Sequence, residues 1–144
     1  MQVDFYQLSR DPLERVVVLL ADKIMEAGGR VLVVSDDPER RTILADALWA
    51  REDRFLANGS AGERHAERQP ILISANCHAA NGATMAILAD GKWCDEASSF
   101  EQAILLFGPD QTEPARALWG RLSGGTDALR IFKQGEGGGW REGR

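Results

Sequence analysis

Apolar residues fall along this chain in short unbroken runs, separated by stretches where they recur every three or four positions. VDFYQL (3 to 8) is rich in β-forming residues and ends in Ser9-Arg10-Asp11-Pro12. Asp11 before Pro12 reads as a helix N-cap followed by a favoured first helical position. Leu13, Val16, Val17, Leu20, Ile24 and Met25 then keep helical spacing up to a stop at Gly28-Gly29. RVLVVS (30 to 35) is continuous and apolar, the mark of a strand buried on both faces. Asp36 or Asp37 caps a second helix that starts at Pro38 and carries Ile43, Leu44, Ala47 and Leu48 on one face.

Strand, helix, strand, helix is the grammar of a mostly parallel sheet. The polar segment 52–69 reads as a sizeable loop, and ILIS (71 to 74), TMAILAD (84 to 90) and FEQAILLFG (100 to 108) follow as strands. A helix over Thr112 to Ser123 stops at Gly124-Gly125, and ALRIFK (128 to 133) is a last strand, its short connection predicting an antiparallel edge. The fold class expected is α/β: a single three-layer α/β/α domain over 1–144 with a mostly parallel sheet.

Charge and composition narrow the function. The net charge of −5 gives no general attraction to phosphate backbones, which argues against strong direct nucleic-acid binding. The longest apolar run, VVVLLA at 16 to 21, is far short of a membrane span, and the N-terminus lacks a secretory pattern, so a cytoplasmic protein is expected. Cys77 and Cys94 form no C-x-x-C pair and read as buried thiols.

Candidate chemistry is tested against what each reaction needs. A phosphate-binding loop places its glycines after a strand and before a helix, where backbone amides face the anion. Gly28-Gly29 lies on the wrong side of its strand, GEGGGW (135 to 140) has too little chain after it for a helix, and no such loop follows VDFYQL. The layout is that of a nucleotide-binding fold without its loop, and no cofactor is expected. Cys77, His78, Cys94 and His65 match no zinc spacing. Ser74, His78 and Asp90 could be drawn as a triad, but no G-x-S-x-G elbow surrounds the serine. Asp36 and Asp37 sit at a strand end, where catalytic acids occur in α/β folds, although capping is the commoner job there.

Tryptophan is the more informative residue. Trp49, Trp119 and Trp140 lie in polar surroundings, Trp119 and Trp140 close to arginines, in a chain with little other aromatic content. Such residues serve as interface anchors, or else plug a helix end onto the core.

In order, FYQL (5 to 8), GGRVLVV (28 to 34), ALW followed by RFL (47 to 56), QPILI (69 to 73), FG (107 to 108), ARALW (115 to 119) and the K-Q-x-x-G-G-G-W tail resemble the chi subunit family of bacterial DNA polymerase III. The resemblance implies a nucleotide-hydrolase-like α/β/α domain without a phosphate loop and without catalytic activity. It implies an accessory subunit that links the clamp loader to single-stranded DNA-binding protein through the latter's acidic C-terminal tail. The tail-binding surface would lie around Arg116 and Trp119, with the family's further cation replaced here by Gly120. Arg121, Arg130 and Lys133 are the candidates to complete the basic rim. The surface for the psi subunit, or another clamp-loader subunit, would include Trp49, Phe55 and Leu56. The closing glycines are then expected to adopt positive φ and let Trp140 fold back onto the domain. Two alternatives stand beside this reading: a degenerate nucleotide-hydrolase-like interaction module outside replication, and a small enzyme using Asp36 or Asp37.

Overall fold

The computed structural model describes residues 1–51, 55–135 and 139–143. Among the described residues eight strands form one sheet: β1 (Gln2–Gln7), β2 (Val31–Val34), β3 (Asn58–Ser60), β4 (Ile71–Ser74), β5 (Met85–Leu88), β6 (Gln102–Phe107), β7 (Ala128–Gln134) and β8 (Trp140–Glu142). Three α-helices among the described residues accompany them: α1 (Leu13–Glu26), α2 (Pro38–Trp49) and α3 (Thr112–Ser123). The spatial order is β3-β4-β2-β5-β6-β1-β7-β8, and every neighbouring pair is parallel except β7 with β8.

The continuous apolar runs do what such runs do in a sheet covered on both faces: they send alternate residues to two cores. Val31 and Val33, Ile71 and Ile73, Ile87, Ile104 and Leu106 meet α1 and α2 on one face. Val3 and Phe5, Leu32, Leu72, Ala86 and Leu88, Ala103, Leu105 and Phe107 meet α3 on the other. α1 ends in the predicted glycine stop: Gly29 N–H donates to Ile24 O at 3.0 Å and Gly28 N–H to Met25 O at 2.9 Å, with Gly28 at φ 83°. No helix among the described residues is long and apolar enough to cross a membrane.

Several local expectations change. Asp11 does not cap α1: the N-cap is Pro12, and the Asp11 carboxylate accepts instead from Gln134 Nε2 at 2.7 Å. Between the two candidates for α2, Asp37 is the cap, accepting from Glu39 N–H at 3.0 Å, while Asp36 pairs with Lys92 at 3.3 Å. The polar loop contains β3, held against β4 by backbone pairing that its sequence NGS does not advertise. β7 is parallel to β1, not an antiparallel edge, because the chain reaches it from β6 through α3, a crossover that returns it in the same direction. The edge belongs to β8, and Trp140 folds back from it onto Tyr6, ring centroids 5.0 Å apart. Gly135 and Gly139 do not take positive φ; Gly137 and Gly138 lie outside the described residues. Cys77 and Cys94 are not free thiols: they are joined as a disulfide that ties the β4–β5 connection to the segment after β5.

Candidate functional site

α3 carries Ala115 and Leu118 down onto the sheet, both buried, with Trp119 and Leu122 partly buried against the same core. Its N-terminal end is seated by Gln111, which accepts from Gly108 N–H at 3.0 Å and donates to Asp90 O at 2.7 Å. The flank of α3 facing β7 is not filled by side chains. A cavity of about 460 Å³ opens there, lined by Thr112, Ala115, Arg116 and Trp119 from the helix. Phe5 and Gln7 of β1, Phe107 of β6, and Ile131 and Lys133 of β7 supply the rest.

The cavity joins two kinds of surface. Phe5, Phe107, Ile131 and the Trp119 ring make an apolar slot, Trp119 standing edge-on to Phe5 at 5.1 Å. Arg116 and Lys133 are its two charged lining residues, both cationic and both exposed. Chemically it can take a short ligand that presents carboxylates beside an apolar or aromatic group.

Of the candidate cations for the rim, the structure therefore gathers only Lys133 with Arg116 and Trp119. Arg130 points to the opposite face, because residues three apart on a strand alternate sides. There it clasps the buried Asp4 carboxylate in two hydrogen bonds of 2.9 and 2.8 Å, with Gln2 and Gln102 amides completing the shell at 2.7 Å each. Arg121 is five residues from Arg116, about 140° around the helix, and does not line the cavity.

A second candidate surface lies at the far side of the sheet. Trp49, at the end of α2, is 53% exposed and Phe55 76% exposed, their rings 5.6 Å apart. Leu56 does not share that surface. At 1% exposure it is part of the core beneath α1 and α2, since the chain turns inward immediately after Phe55. Trp49 also borders a cavity of about 260 Å³ beside β3, with Ala45, Gly59, Glu63 and Arg64.

The catalytic candidates are not assembled. Asp90 is engaged by Ser35 Oγ, Asp36 N–H and Arg40 at 2.8, 2.8 and 2.7 Å and does not line the cavity of about 710 Å³ that Ser74 and His78 line. The Ser74 hydroxyl interacts with Asn76 rather than with His78. That larger cavity is lined by Glu96 and by no lysine or arginine, so it does not suit an acidic ligand. Among the described residues no group of three or more His, Cys, Asp or Glu is placed to hold a metal ion.

The turn after β1, where a phosphate loop would sit, is already filled. The backbone N–H groups of Ser9, Arg10 and Asp11 donate to Gln134 Oε1 at 3.3, 2.9 and 3.1 Å. No signal in the local sequence could have located this contact, since Gln134 is more than 120 residues away.

Comparison with curated proteins returns no match. Comparison with protein families does: the model described as "DNA polymerase III chi subunit, HolC" matches residues 1–124, which include α3 with Arg116 and Trp119 and exclude β7 with Lys133. On a match covering most of its length, the chain belongs to the chi subunit family of DNA polymerase III, a family of replicative accessory subunits.

Proposed function

We propose that this accessory subunit joins the clamp loader to single-stranded DNA-binding protein, and that the α3 cavity receives the acidic, aromatic-ended tail of the latter. The observation that carries the proposal is the juxtaposition of Arg116 and Lys133 around an apolar slot walled by Trp119 and floored by Phe5, Phe107 and Ile131. A peptide tail with several carboxylates and one terminal apolar residue needs such a receptor. In a chain of net charge −5, this is a local exception to a field that otherwise repels it.

The exposed Trp49–Phe55 pair supplies a second anchor, of the rigid aromatic kind that dominates interface energies, for psi or another clamp-loader subunit. The two surfaces lie toward opposite ends of the strand order, one beside β3 and the other at β1 and β7. One partner therefore leaves the other's surface uncovered, as a linking role requires. Neither Asp36 nor Asp37 lines the α3 cavity, and both are held in local pairs, which favours binding over an enzymatic use of these residues.

The test is calorimetric titration of a tail peptide into the wild type, Arg116→Ala and Trp119→Ala. Removing a central aromatic or arginine anchor typically costs about 2 kcal/mol, roughly thirtyfold in affinity. Equal affinity in all three proteins would move the site elsewhere.

A further inference from the structure

The end of β7, already paired along its backbone with β1 and β8, is fastened to the turn after β1 by the Gln134 side chain. Gln134 is 7% exposed on a strand whose other residues are all more open to solvent. Its Oε1 accepts from the three successive amides of Ser9, Arg10 and Asp11, and its Nε2 donates to Asp11 Oδ2 at 2.7 Å. Ser9 Oγ returns a hydrogen bond to Gln134 O at 2.9 Å. Successive amides at the start of a helix form a concavity suited to an anion. Here they converge on the protein's own neutral carboxamide, with the Asp11 carboxylate orienting it.

This latch stands next to the tail cavity. Residues 133 and 134 point to opposite faces of β7, so the same stretch of backbone sends Gln134 into the β1–α1 turn and Lys133 to the cavity rim. Lys133 pairs with Gln7, which also lines the cavity and ends β1 just before the turn that Gln134 holds. A lysine on a long flexible stem loses much side-chain entropy when it is held by a ligand. Fixing its backbone lowers the remaining cost of placing its charge.

We propose that Gln134 is a positioning residue for the peptide site: by locking the end of β7 onto the Ser9–Asp11 turn, it holds the Lys133 ammonium over the cavity, opposite Arg116. The inference rests on the reading of the α3 cavity as the tail site, and it assigns the second cation of the basic rim to a segment outside the family match.

The experiment measures affinity for an acidic, aromatic-ended peptide at low and high salt in the wild type, Lys133→Ala, Gln134→Ala, the Lys133→Ala/Gln134→Ala double variant, and Asp11→Asn/Gln134→Glu. In the last pair the hydrogen-bond donor and acceptor trade places, so the latch is retained. Losing one rim cation is expected to weaken binding roughly threefold and flatten its salt dependence. Gln134→Ala should match Lys133→Ala in both respects, the double variant should fall no further, and the swapped pair should bind like wild type. Should Gln134→Ala not fold, Gln134→Glu alone takes its place, since it sets two carboxylates against each other; it should bind weakly where the swapped pair does not. Wild-type affinity and salt slope in the Gln134 variants, or losses that add to that of Lys133→Ala, would overturn the latch while leaving the tail site standing. No binding by the wild type would overturn the tail site and the latch with it.

Discussion

Arg116 and Trp119 stand three residues apart on α3, and what surrounds them decides which neighbours can help. Gly120 follows on an exposed helical position where an added Cβ would meet nothing within 4 Å. It is also four residues from Arg116, hence on the same flank. Gly120→Lys is therefore expected to raise helix stability by roughly 0.7 kcal/mol. By adding a cation beside the cavity it should also tighten peptide binding roughly threefold. Thermal unfolding and peptide titration check the two effects separately. Arg130 gives the opposite expectation. Asp4 is 2% exposed in its side chain, and Arg130→Ala removes the cation from a carboxylate that cannot return to water. Two glutamine amides remain on Asp4, so the loss should be about 2 kcal/mol of folding stability. Peptide affinity should be unchanged, because Arg130 lies on the far face of the sheet. A loss of affinity with intact stability would place Arg130 in the site after all.

At the scale of elements, the ends of β2 and the segment after β5 are joined through Asp90. Burial acts to raise its pKa, but hydrogen bonds from Asp36 N–H, Ser35 and Arg40 outweigh that and hold it below the ordinary value of 3.8. A carboxylate depressed on folding stabilises the native state at pH above its unfolded value, and that contribution disappears as pH falls through the folded one. Stability should decline as pH drops below about 4, and Asp90→Asn should flatten part of that decline in urea unfolding series. The elements themselves were largely legible: continuous apolar runs gave the buried strands, and glycine stops gave the ends of α1 and α3. β3 and β8 were not, because NGS and WRE carry no apolar run; their strands exist through backbone pairing to β4 and β7. The cavity was half legible. ARALW placed Arg116 and Trp119 on one helix face, but the choice among Arg121, Arg130 and Lys133 depended on which face of β7 meets α3. Leu56 illustrates the same limit: a turn after Phe55 sends neighbouring apolar residues in opposite directions, one to solvent and one to the core.

Over the whole molecule, a mostly parallel sheet is covered by helices, while the turn after β1 is closed by Gln134. ATP is expected to show no saturable binding at micromolar concentrations. Binding abolished by a substitution in the Ser9–Asp11 turn would contradict that. Docking of an acidic tail in the α3 cavity, at a distance from the Trp49–Phe55 surface, is what these expectations have in common. It is tested most directly by mapping amide and indole chemical-shift changes in the intact protein as the tail peptide is added. The largest changes are expected at Thr112, Arg116, the Trp119 indole and Lys133, with little change at Trp49 or Phe55. Changes centred on Trp49 and Phe55, with α3 and β7 silent, would contradict it.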